Sequence, residues 1–132
     1  MSNLFIGLGA LSAFVAVAAG AFGAHALKQI LDVDMLAVYN TAVEYQFFHS
    51  IGLLVIGGLH KSSPRHCHLI AAWAMLAGII IFSGSLYLLS TTGIKWLGMI
   101  TPAGGLCFLA AWLTLAIDYL AVLRKEKSRE LS

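Results

Sequence analysis

Four apolar stretches divide the chain, at residues 4–24, 41–60, 69–90 and 97–123. Each reaches the roughly 20 residues that a helix needs to cross about 30 Å of hydrocarbon. Between the first two, residues 25–40 change character: Leu27, Ile30, Leu31, Met35, Leu36 and Tyr39 alternate with charged and polar residues, the pattern of a helix lying in a membrane interface. Asp34 is expected to cap a helix that begins at Met35 and runs into the second stretch. Pro64, with Lys61 and Arg65 beside it, breaks the chain after the second. The pattern predicts an all-α polytopic membrane protein, a bundle of four spanning helices with an amphipathic connection between helices 1 and 2. Residues 1–123 are expected to form one membrane domain and residues 124–132 a basic tail.

Small residues refine the packing. Gly9, Ala13, Ala16, Gly20 and Ala24 recur every three or four positions, a smooth stripe along which another backbone can approach closely. Ala71, Ala74, Gly78 and Ser85 do the same in the third stretch. Pro102 belongs near the start of the fourth helix, where its missing N–H costs little.

Composition agrees with lipid as the solvent. The chain is 60% hydrophobic and 11% charged, against about 25% charged in ordinary soluble domains. A nucleotide-binding loop is excluded, because Gly7-Leu8-Gly9 lacks a third glycine and no Gly-Lys-Ser/Thr sequence occurs. No serine sits in a nucleophile elbow. Arg124, Lys125, Lys127 and Arg129 cluster after the last span, the usual flank of a membrane helix rather than a nucleic-acid site. With Lys61 and Arg65 they outweigh Lys28 and Lys95 on the other side, which predicts an inner-membrane protein with both termini cytoplasmic. No cleaved signal peptide is expected, since Met1-Ser2-Asn3 offers no positive charge. Cys67 and Cys107 are expected to be free thiols.

Candidate chemistry lies in the half away from the termini, where antiparallel spans bring together His25, Glu44, Tyr45, Gln46, His49, Ser85, Tyr87 and Thr101. An ionisable residue in a span is costly, about 2.5–3.5 kcal/mol at the centre. Glu44 is therefore expected to pair with His25 or Lys28. Five residues of helix turn Glu44 and His49 about 140° apart, so they are not a simple facial pair. The competing interpretation of the cluster is interhelical hydrogen bonding, worth about 0.6 kcal/mol per bond. Asp118, near the end of the fourth span, is expected to reach interfacial water. Trp73, Tyr87, Trp96, Tyr119 and Tyr39 are expected to form an interfacial belt, with Trp112 deeper. His60, His66, Cys67 and His68 are the one metal-like group, but their spacing matches no zinc pattern. Neither a metal nor a cofactor is expected.

Several motifs together carry a resemblance: Gly20-Ala21-Phe22-Gly23-Ala24-His25-Ala26-Leu27, Thr41-Ala42 with Tyr45-Gln46 and His49, Gly84-Ser85-Leu86-Tyr87, and Thr101-Pro102-Ala103-Gly104-Gly105 with Trp112. In these the chain resembles the YgdD-like family of small uncharacterised bacterial inner-membrane proteins, which has eukaryotic relatives among small transmembrane proteins. The resemblance implies four spans and supplies no reaction or catalytic residues.

Three function classes remain. The favoured one is a structural or interaction component, with the lipid bilayer, its own copies or a membrane complex as partners through the Gly/Ala seams. The second is transport of a small solute or proton past Glu44, Gln46 and His49. The third, an enzyme using His25, Glu44 and His49, lacks a nucleophile or metal set.

Overall fold

A computed structural model describes residues 1–131, leaving aside the side chains of residues 126, 129 and 130. Ser132 and the side chain of Arg129, both in the expected basic tail, lie outside the described residues. The described chain is helical throughout, with α1 Ser2–His25, α2 Val33–Ser62, α3 His66–Gly78, α4 Gly84–Thr92 and α5 Thr101–Glu130. A π-helical segment, Ile79–Ser83, joins α3 to α4, so that His66–Thr92 crosses as one unit. Four helical units are long and apolar enough to span a membrane.

Local signals account for the helix ends. Asp32 rather than Asp34 caps α2: its Oδ1 accepts the Met35 N–H at 2.8 Å, and the helix begins at Val33. Both aspartates precede the same apolar run, but only Asp32 has the extended backbone that lets a side chain fold over the first turn. At 30 residues, α2 is about 45 Å long. It therefore absorbs most of the expected interfacial connection, leaving the short 3₁₀ turn Leu27–Gln29 as the link from α1. Gly93 ends α4 with φ 72° and donates its N–H to Leu89 O at 2.9 Å, a left-handed cap that residues with a Cβ rarely adopt. Pro102 sits in the first turn of α5, as its chemistry requires.

Packing is sequential. α1 lies along α2, α2 contacts α3 and α4, and α3 lies along α5. Phe5, Leu53, Ile56, Ala71, Ala72, Met75, Ile79, Phe108, Ala111 and Leu115 form the core near the end that carries the termini. The α1 seam is rotated from the expected stripe. Phe5, Gly9, Ala16 and Gly23 are buried, whereas Ala24 is exposed. Gly9, Ala16 and Gly23 fall at seven-residue spacing, which keeps one line of contact between two helices wrapping around each other. A Cβ at Gly9 would stand 2.9 Å from the Ser50 carbonyl oxygen, and one at Gly57 would stand 3.0 Å from Ile6 N. The backbones touch there. Gly104 does the same against the backbone N of Phe82 in the π segment. These seams are filled by the chain's own helices. The outer faces of α1 and α5 instead show Leu11, Phe14, Val17, Leu106, Leu109, Leu113, Ile117 and Leu120, the surface that a bilayer covers.

Candidate functional site

The polar residues of the spans fall mainly into three places, with smaller links besides. The first is a hydrogen-bonded bridge between α1, α2 and α4. Gln46 is buried at 6% exposure. Its Nε2 donates to the Ser12 carbonyl at 3.1 Å and lies 3.4 Å from Ser12 Oγ. Its Oε1 accepts from the Tyr87 hydroxyl at 2.7 Å. Ser50, fully buried one turn further along α2, holds its hydroxyl 2.7 Å from Ser12 Oγ and 2.6 Å from the Gln46 carbonyl. Ser12 is near the middle of α1, so the bridge sits at about half the depth of the span. Both ends of the Gln46 amide are satisfied, which is what an amide in a water-free interior requires.

About two turns towards the opposite end, Tyr39 donates to the Ala19 carbonyl at 2.8 Å and packs edge-on against Tyr87, ring centres 5.2 Å apart. Tyr39 and Tyr87 are thus inward-facing helix clamps and not part of an interfacial belt. Ser85 and Thr101 form their own link between α4 and α5, with hydroxyls 2.7 Å apart. Ser12 and Ser50, which complete the bridge, carry no warning in the sequence. A serine can hydrogen-bond its own helix, so its presence in a span points nowhere.

The second place is a groove between α2, the π segment and α5. Tyr45, His49, Phe82, Pro102, Gly105, Leu106, Phe108, Leu109 and Trp112 line about 480 Å³. Tyr45 stacks on Phe82 at 4.5 Å and on His49 at 5.6 Å, while His49 stacks on Phe108 at 3.5 Å between ring centres. His49 Nδ1 donates to the Tyr45 carbonyl at 2.7 Å. Nε2 remains as an acceptor in an otherwise aromatic wall. The π segment helps form this wall by changing the register of the helix just where Phe82 must meet Tyr45 and Gly104.

The third place holds Glu44. It is exposed, on a shallow apolar groove between α1 and α2 of about 280 Å³ with Ala16, Val17, Gly20, Ala21, Val43, Phe47 and Phe48. The expected pairing with His25 or Lys28 does not form. The one ion pair among the described residues is Arg65–Asp118. Geometry explains the miss. α2 faces α1 with Tyr39, Ala42, Gln46 and Ser50, and Glu44 is about 200° round the helix from Gln46. It is also level with Gly20, about 7 Å along α1 from the exposed His25. The structure therefore brings Gln46 to Tyr87, Tyr45 to His49, and Ser85 to Thr101, and leaves His25 and Glu44 outside these groups.

At the end carrying the termini, Arg65 Nη1 donates to Asp118 Oδ2 at 2.6 Å and its guanidinium lies 5.3 Å from the Tyr119 ring centre. The Asp118 hydrogen bond raises the pKa of Arg65 further above its ordinary value. Asp118 is thus bound to the α2–α3 turn while staying part-exposed at that end, and it brings a carboxylate to Cys67 and His68. His66 stays exposed and outside that group. Cys67 and Cys107 are both free thiols.

Comparison with known proteins agrees with the architecture. A family described as protein of unknown function (DUF423) matches residues 19–105. UPF0382 membrane protein SH2409 of Staphylococcus haemolyticus is 46% identical over 88% of this chain and 94% of its own length. UPF0382 membrane protein YwdK of Bacillus subtilis is 45% identical over 89% of this chain and 99% of its own. UPF0382 membrane protein SAB0533 of Staphylococcus aureus is 47% identical over 87% and 93%. No solved structure matches. The matched region contains Gln46, His49, Tyr87 and Thr101 and ends just past the first turn of α5. An integral membrane protein of four apolar helical units, whose molecular function is unknown, the chain belongs to the DUF423 family of UPF0382 membrane proteins.

Proposed function

We propose that the protein is an interaction component of the bacterial inner membrane and not a conduit: its Gly/Ala seams hold its own helices together, and its groove beside His49 receives a hydrophobic chain from the bilayer. The observation carrying this reading is the closed Gln46 bridge. Donors and acceptors that would have to line a polar path are spent on one another at mid-depth. Glu44, Gln46 and His49 also occupy three different settings, which counts against a single route through one chain. The groove has the composition of a ligand site, an apolar wall with one oriented polar atom. A hydroxyl-bearing lipid or isoprenoid suits it, donating to His49 Nε2 while its chain lies on Phe82, Phe108 and Trp112.

In this reading residues 1–123 act as one membrane unit and residues 124–132 as its basic tail, with both termini cytoplasmic, as the Lys and Arg distribution supports. The YgdD-like resemblance and assembly with further copies or a membrane complex belong to the same proposal. The outer faces of α1 and α5 remain available for such contacts. The test is native mass spectrometry of detergent-purified protein with the Gly105→Leu variant. A Cβ at Gly105 meets nothing closer than Phe82 at 3.8 Å, so a side chain can start there without a backbone clash, and leucine is the choice to occupy the groove. Retained lipid adducts that disappear in Gly105→Leu support the proposal. Equal adducts in both proteins overturn it.

A further inference from the structure

The geometry points to a divalent metal site at the end of the bundle that carries the termini, with Cys67, His68 and Asp118 as ligands and Zn²⁺ as the class of ion it fits. These residues come from two helices, Cys67 and His68 from the first turn of α3 and Asp118 from α5. One donor atom from each lies within 4.8 Å of the others. A thiolate, an imidazole and a carboxylate are the donor types zinc takes, and three protein ligands leave its fourth position to water.

A second observation is independent of that spacing. His68 is fully buried, with 0% exposure, and among the described residues no well-formed hydrogen bond reaches its Nδ1, although the ring lies near the Ser63 backbone. His60 packs edge-on against it, ring centres 6.0 Å apart, and its buried Nδ1 is also unpartnered. Orphaned imidazole nitrogens are rare in an apolar interior, and an absent ion is one of the standard reasons for them.

The surroundings suit a metal as well. Arg65 holds Oδ2 of Asp118, and the Cys67 thiol lies against the same carboxylate, where an ion could bridge the two. The Tyr119 hydroxyl lies 3.3 Å from His68 Nε2, and its ring stacks on the imidazole at 5.9 Å. Such outer contacts orient metal ligands. Cys67 and Asp118, both ionised, would offset the ion's two charges and leave the loaded site with only the single positive charge of Arg65. Zinc bond lengths require the donor atoms to draw together by about 1 Å, within reach of rotation about χ1 of Cys67.

Cobalt(II) titration of tag-free, chelator-treated full-length protein in detergent tests this, because a cobalt–thiolate bond gives a charge-transfer absorption and tetrahedral cobalt gives visible d–d bands. The expected result is one cobalt per chain, displaced by equimolar zinc, with both signatures present in wild type and in Cys107→Ser. Cys67→Ser should lose the charge-transfer band, and Asp118→Asn should weaken binding by at least about tenfold. Cys67→Ser keeps volume and polarity at a half-buried position, so it tests the ligand without emptying the core. No retained cobalt, or a charge-transfer band that persists in Cys67→Ser, overturns the assignment.

Discussion

The Tyr87 hydroxyl reaches Gln46 Oε1 across the α4–α2 interface at 2.7 Å, while the other end of the same amide holds α1 through Ser12. One side chain thus ties three spans at mid-depth. Tyr87→Phe removes the hydroxyl and strands Oε1 where no water can replace it. The expected loss is about 0.6–1.7 kcal/mol, read as a lower unfolding midpoint in detergent. Gln46→Leu should cost at least as much, because it leaves the Tyr87 hydroxyl and the Ser12 carbonyl to find other partners. A Tyr87→Phe protein as stable as wild type would show that this bond does not hold the bundle.

The α1–α2 contact depends on backbone approach at Gly9. Alanine there puts a methyl 2.9 Å from both Leu54 Cγ and the Ser50 carbonyl oxygen. The helices must separate, and the Ser12–Ser50 contact one turn away stretches with them. Gly9→Ala is expected to lose about 1–3 kcal/mol. Gly58→Ala, which meets nothing within 4 Å, is the control. It should be neutral or gain up to about 1 kcal/mol from helix propensity. The comparison is made by thermal unfolding of both variants in the same detergent.

Glu44 has no hydrogen-bond or ion-pair partner among the described residues and borders an apolar groove. If its carboxylate serves only as a near-surface charge, Glu44→Gln should change stability by less than about 0.5 kcal/mol. A loss several times larger in a detergent melt would mean that Glu44 has a partner in the folded state.

The two short connections on opposite faces report orientation. Ser63 and Thr92 are exposed at the ends of α2 and α4. In a background with Cys67→Ser and Cys107→Ser, a membrane-impermeant maleimide should label Thr92→Cys in intact spheroplasts and Ser63→Cys only after permeabilisation. The reverse pattern would place the termini outside.

Much of the fold can be read from the residues because lipid imposes a simple rule on them. Long apolar runs have little choice but to be helices, and Pro64, Gly93 and Pro102 mark helix boundaries through their own chemistry. Gln46, Tyr87, Ser85 and Thr101 were visible as polar residues at compatible depths. Which face each presents was not. Hydrophobic periodicity, the usual guide to facing, is weak when lipid and core are both apolar. Hence the seam on α1 turned from Ala24 to Gly23, and Glu44 was grouped with neighbours it does not meet. The π segment left no trace because its extra residue adds only another apolar side chain in Ile79–Ser83. Asp118 joining Cys67 and His68 was hidden for another reason: about fifty residues separate them, and no local spacing rule reaches that far.

On the proposed reading the Gln46 bridge closes the bundle's interior, and the most direct test of that is proton flux. Purified protein is reconstituted into liposomes enclosing a pH-sensitive dye, and a potassium diffusion potential is applied. The expected uptake equals that of protein-free liposomes, for wild type and Glu44→Gln alike. Uptake that rises with protein content and falls in Glu44→Gln or Gln46→Leu would mean that a proton path runs where this structure has hydrogen bonds.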